Sequence, residues 1–159
     1  MVCSTAFLTI LTLGALSSGV SARRLTQTRS VEMQIATDNR TSLLYTGATM
    51  VHGDLSIHPL ALIPEGKTAV ARADSDGMLT GMPGCASCVQ GTLNFAIPNV
   101  GLSTPCNMII QFDDPFFGSN GYICALSADA GPNCGNRVFC NISGGDGDQA
   151  TLSVSVGRM

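Results

Sequence analysis

Along residues 151–156 apolar and polar side chains alternate one by one, with Leu152, Val154 and Val156 on one parity and Thr151, Ser153 and Ser155 on the other. A strand turns successive side chains to opposite faces, so this stretch reads as a half-buried β-strand. Segments of similar character recur upstream: VEMQIA (31–36), LLYTGATMV (43–51), DLSIHP (54–59), KTAVARA (67–73), GTLNFAI (91–97), NMIIQF (107–112), GYICAL (121–126) and RVFCNI (137–142). Gly and Pro punctuate the chain between them at intervals of roughly eight to twelve residues, and no segment sustains a helical period. The pattern predicts an all-β fold, a single antiparallel β-sandwich of about nine strands.

Segments 107–112 and 121–126 flank DDPFFGSN (113–120), which predicts a hairpin whose tip lies at one end of the sandwich. The chain has six Phe, two Tyr and no Trp, yet the window 112–122 alone holds Phe112, Phe116, Phe117 and Tyr122. Adjacent residues on a turn rarely both point inward. If Phe116 or Phe117 folds back to cap the core, the other is expected to stay exposed, where a large aromatic suits a headgroup interface or stacking on a ligand.

Composition adds a compartment. Residues 1–22 contain the apolar run AFLTILTLGAL followed by SSGVSA, with Val20 and Ala22 at the small-residue positions that a signal peptidase reads. This predicts a signal peptide over 1–22 and a secreted, extracellular β-sandwich domain over 23–159, since the run is too short to cross a bilayer. Cys3 leaves with the leader, and Cys85, Cys88, Cys106, Cys124, Cys134 and Cys140 form an even set, as in a disulfide-stabilised secreted domain. Mirror positions about the 113–120 turn favour Cys106–Cys124, with Cys134–Cys140 closing CGNRVFC and Cys85–Cys88 a local pair; a Cys106–Cys134 link would count against the hairpin. Asn39-Arg-Thr and Asn141-Ile-Ser are glycosylation sequons, expected on surface turns.

The formal net charge is −3 with the signs interspersed and Lys67 the single lysine, so there is no basic run for a phosphate backbone and nucleic acid is excluded as a partner. The C-x-x-C of GCASC lacks the βαβ context of a redox motif and reads as a structural disulfide. His52, Asp54 and His58 share a parity that could in principle hold a metal. The opposite parity, Val51, Leu55 and Ile57, looks buried and leaves the histidines on a solvent face, so no metal and no cofactor is expected. Asp113 and Asp114 point to opposite faces of a strand rather than facing each other as glycoside hydrolysis requires. GGDGDQ, with Asp146 and Asp148, reads as a hairpin turn. Without a G-x-S-x-G elbow, or a spare Cys beside a His, nucleophilic hydrolysis has no support, and an extracellular enzyme would rest on Asp113, Asp114, His52 and His58 alone.

The order N-x-T, HGDL, IPEGKTAV, LTGMPG and then MIIQFDDPFFGSNGY, over about residues 31–126, resembles the actinoporin-like and aegerolysin-like β-sandwich cytolysins. The apolar strand, Pro-aromatic loop and Asn-x-Tyr are similar to the elements with which actinoporin-like proteins form a phosphocholine pocket. The resemblance implies a toxin- or effector-like sandwich that recognises a membrane lipid headgroup at one end. Phe116, Phe117 and Tyr122 would then lie in the contact loop, with Asp114 and Asn120 as polar neighbours. This chain departs from the pattern in lacking Trp, in having six cysteines, and in an N-terminal segment, RRLTQTRSVEMQIA, without a sustained apolar face. The sequence thus points to binding rather than perforation, with an extracellular protein or glycan as the alternative ligand, met by the same loop or by LTGMPGCASC.

Overall fold

The computed structural model describes residues 29–75, 88–98, 100–102, 104–115, 118–126 and 134–159. Its strands in chain order are β1 (Ser30–Thr37), β2 (Leu43–His52), β3 (Asp54–Ile57), β4 (Leu62–Ile63), β5 (Thr68–Asp74), β6 (Val89–Ile97), β7 (Cys106–Asp114), β8 (Gly121–Leu126), β9 (Val138–Gly144) and β10 (Gln149–Arg158), with a short 3-10 turn at Cys134–Asn136. They form two five-stranded sheets, β3-β5-β1-β10-β9 and β4-β2-β6-β7-β8. Every predicted strand segment is present, and the two-residue β4 is additional. All pairings are antiparallel except β1 with β10, which run parallel from Ser30↔Gln149 to Thr37↔Val156.

The core forms where the alternating apolar faces of the sheets meet. One sheet contributes Val31, Met33, Ile35, Ala71, Ala73, Leu152, Val154 and Val156; the other contributes Val89, Leu93, Phe95, Cys106, Met108, Ile110 and Phe112. Gly91 on β6 pairs with Phe112 and leaves room for its ring, since a Cβ there would sit 2.8 Å from Phe112 Cζ.

The structure corrects three expectations. Residues 51–59 are not one strand: Gly53, at φ 77°, ends β2 and sends the chain across to β3 in the other sheet. His52, Asp54 and His58 therefore share no face, and on the parity expected to be buried Val51 is 60% and Ile57 45% exposed. The cysteine pairing also differs. The β7–β8 hairpin forms, but in its register Cys124 faces Ile110. Cys106 lies four positions away from Ile110, roughly 13 Å along the strand at about 3.3 Å per residue, beyond the reach of a disulfide. The bonds are Cys106–Cys134 and Cys124–Cys140, each with Cα atoms 5.8 Å apart. A Cys106–Cys134 bond and the hairpin thus coexist. Cys88 is also disulfide-bonded, while Cys85 lies outside the described residues. Finally, Asn39 sits in an exposed turn as expected, but Asn141 is an exposed residue within β9, the edge strand of its sheet.

Candidate functional site

The strand registers gather one set of chain ends. Ser30 lies opposite both Asp74 and Gln149, Val89 opposite Asp114, and Asp113 opposite Gly121. Bonds between the sheets, from Arg29 to Asp114 and from Asn120 to Gly145, bring these ends together, so the end of β7, the start of β8, the 145–148 turn between β9 and β10, and the points where the chain leaves β5 and re-enters β6 all lie at the same end of the sandwich. Both loops singled out in the sequence, DDPFFGSN and LTGMPGCASC, are attached there.

The expected site residues fall into three groups. Phe116 and Phe117 lie outside the described residues, between Pro115 and Gly118. Asn120 and Tyr122 reach across the seam between the sheets. Asn120 Nδ2 donates to the carbonyl oxygens of Gly145 at 2.8 Å and Gly147 at 3.1 Å, and the half-buried Tyr122 hydroxyl donates to the same Gly145 oxygen at 3.0 Å. Gly145, at φ 99°, is required by this approach, since a Cβ there would collide with the Tyr122 ring and sit 2.6 Å from Leu152 Cδ2. Asp114 is 0% exposed. It continues the inward parity of Cys106, Met108, Ile110 and Phe112, so the end of an apolar strand face carries a carboxylate into the interior.

That carboxylate is met by Arg29, which immediately precedes β1. Arg29 Nη1 bonds Asp114 Oδ1, and Nη2 pairs with Asp148 Oδ1 at 2.7 Å, so one guanidinium ties β7 of one sheet to the β9–β10 turn of the other. Backbone bonds fix its position: the Arg29 amide donates to Ser75 Oγ at 3.1 Å, the Ser75 amide to the Arg29 carbonyl at 2.9 Å, and the Ser30 amide to the Asp148 carbonyl at 3.1 Å. Asp114 Oδ2 is buried with no hydrogen-bond partner among the described residues. Burial pushes the Asp114 carboxyl above the ordinary carboxylate value. The Arg29 hydrogen bond and charge oppose this without overcoming it, and the charges of Asp148 and Asp113 add to the upward shift. Tyr122 is pushed up to about 12, first by burial and then by the neighbouring Asp114 charge.

Beside this cluster a cleft of about 250 Å³ is lined by Arg29, Gly118, Ser119, Asn120, Asp146, Gly147 and Asp148. Its described lining is polar throughout. Because Asn120 spends its amide N–H groups on the Gly145 and Gly147 carbonyls, its Oδ1 and the exposed Asp146 carboxylate remain as acceptors for a bound group. Arg29 has no role of its own in the sequence reading, and Gly145 and Asp148 stand there only as residues of the GGDGDQ turn. The parity of β7 was the one signal that could have placed Asp114 inside. Elsewhere, the His58 ring lies 6.4 Å from that of Tyr45, and among the described residues no three His, Cys, Asp or Glu side chains gather as a metal site. No described helix is long and apolar enough to cross a membrane.

No protein-family model matches the chain, and no curated protein matches it in sequence. Among solved structures it is similar to the crystal structure of the lipid binding protein Nakanori, at a TM-score of 0.58 and 9% identity, covering 80% of this chain and 70% of that one. It is also similar to the lectin XCL of Xerocomus chrysenteron at a TM-score of 0.46 and 9% identity, covering 83% of this chain and 99% of that one. The likeness to Nakanori is one of fold, a β-sandwich.

Proposed function

We propose that this chain is a secreted β-sandwich binding protein that docks on a membrane surface through the Asp113–Tyr122 connection and acts as a toxin- or effector-like ligand of lipid headgroups. The observation that carries the reading is the polar cleft at the root of the β7–β8 hairpin, next in sequence to the consecutive Phe116 and Phe117. A polar seat for a headgroup, with two aromatic residues next to it in the sequence, is the combination an interfacial binder needs. The sequence resemblance to actinoporin-like cytolysins and the fold likeness to a protein described as lipid binding support the same reading. Docking is favoured over perforation because Ser30–Thr37 of the N-terminal segment is β1, paired on both sides by β5 and β10, and releasing it would dismantle its sheet.

A second reading, a glycan as ligand, is favoured by the cleft lining. The Asp146 carboxylate and Asn120 amide oxygen are acceptors of the kind that sugar hydroxyls satisfy. Flotation with vesicles of phosphatidylcholine, phosphatidylethanolamine and phosphatidylserine, run with Phe116→Ala and Phe117→Ala proteins, tests the first reading. Burying a Phe side chain is worth about 1.5–3 kcal/mol, so each variant is expected to bind roughly ten- to a hundredfold more weakly. Variants that float like the parent on every composition would refute it. Binding on a glycan array with none to vesicles would select the second.

A further inference from the structure

We propose that the Arg29–Asp114–Asp148 cluster makes the seam between the two sheets at the binding end pH-dependent, closed while Asp114 is neutral and loosened once Asp114 is charged. The proposal extends the function above to the regulation of the same site, and rests on that reading only for its consequence in binding.

The geometry supplies the argument. Asp114 is 0% exposed, one of its oxygens meets Arg29, and the other finds no partner among the described residues. A charged carboxylate in that position gives up most of its hydration for a single ion pair. The groups facing it are Arg29 ahead of β1, Asp148 in the β9–β10 turn, Asp113 on its own strand and Tyr122 on β8. Of these only Arg29 favours the charge, and Arg29 is shared with Asp148. Two negative neighbours, burial and an orphaned oxygen together outweigh one divided guanidinium, which is why the carboxyl holds its proton above the ordinary value.

The direction of the response follows from linkage. A loosened seam lets water reach Asp114 and returns it toward the ordinary carboxylate value, so the closed seam is the form that binds the proton more tightly. Acid therefore favours closure. As the pH rises from the ordinary value through that of the closed form, opening becomes easier, by about tenfold for each unit between the two. The bonds of Asn120 and Tyr122 to the Gly145 and Gly147 carbonyls are uncharged over this range and hold throughout, so the loosening is confined to the Arg29 side.

Hydrogen exchange of the Ser30 and Ser75 amides, both bonded next to Arg29, reads the seam directly. Protection corrected for intrinsic rates is expected to fall as pH rises above the ordinary carboxylate value in the parent, and to stay at its acid level in Asp114→Asn. Protection that is constant or rises with pH in the parent, or an Asp114→Asn protein that follows the parent, would overturn the proposal. If Asp114→Asn does not fold, a carbon-detected titration of the parent's carboxyl groups decides, since an Asp114 titrating at or below the ordinary carboxylate value is incompatible with it. Vesicle binding over the same pH range separates the two ideas: a pH-dependent seam with no vesicle binding at any pH retains the seam and overturns the docking function.

Discussion

Removing the Cys124–Cys140 bond by replacing both residues with serine tests how much of this sandwich is held by its cross-links. The bond joins β8 and β9, the edge strands of the two sheets on the same side, and spans a sequence separation of 16, against 28 for Cys106–Cys134. Chain-entropy loss in the unfolded state scales with the logarithm of loop length, which gives about 3.1 kcal/mol for the shorter loop and about 3.6 kcal/mol for the longer. The two loops overlap between Cys124 and Cys134, so either bond already shortens the path the other must close; each single removal is expected to cost less than its isolated-loop figure, and removing both to cost more than the sum of the two single losses. Burial separates them further. Cys106 and Cys134 are 0% exposed, so truncation to alanine leaves a void worth about 1 kcal/mol more, whereas Cys124 and Cys140 are half-buried and accept serine. Urea unfolding of the non-reduced proteins should rank the losses Cys106/Cys134 above Cys124/Cys140, with a steeper denaturant slope in both because the freed unfolded chain exposes more surface. Equal losses below about 1 kcal/mol, or the reverse order, would refute this account, and peptide mapping under non-reducing conditions checks the pairing itself.

Two further outcomes are expected of the seam. In an alkaline absorbance titration neither tyrosine should ionise at its ordinary value of 10, because burial raises Tyr45 and raises Tyr122 to about 12. The stability these phenols lend is complete below the unfolded value and lost as pH rises through the folded one, so a transition at 10 for both would contradict the buried Tyr122 environment. Gly145→Ala should destabilise by about 1–3 kcal/mol through the strained positive φ and the collision with the Tyr122 ring, read as a lowered thermal midpoint, and an unchanged midpoint would mean that the ring does not approach the turn as described.

The strands were legible because Gly and Pro separate them and because single-residue alternation, as in Leu152, Val154 and Val156, has one interpretation when one face is buried. What local pattern does not encode was misread. The parallel pairing of β1 with β10 joins strands from opposite ends of the chain, and no local signal announces it. The parity shared by His52, Asp54 and His58 assumed a continuous strand, but Gly53, at positive φ, moves the chain between sheets and undoes that argument. The disulfides were paired by symmetry about a turn, whereas the hairpin register places Cys124 opposite Ile110. Asp114 was within reach: the alternation that buries Phe112 runs two residues further, and the opposite faces read for Asp113 and Asp114 were used only to set aside glycoside hydrolysis, not to ask which of the two faces the core. Arg29 was not, since its partner lies 85 positions away.

Two kinds of link join the sheets toward the end that carries the cleft, and they divide the labour between them. At the β8–β9 edge the sheets are joined by a disulfide and by the uncharged bonds of Asn120 and Tyr122, none of which responds to a proton below the range where Tyr122 titrates. Toward β1 and β7 the link is the guanidinium of Arg29 between two carboxylates, one of them buried. The link here that a proton can change is therefore the charged one, set between the disulfide of the β8–β9 edge and the Gly53 crossing from β2 to β3, which tie the sheets on either side of it. That link lies beside the cleft, because Arg29 and Asp148 belong to both the ion cluster and the cleft wall. A ligand seated there changes the surroundings of Arg29, and by reciprocity the state of Asp114 changes the affinity for that ligand.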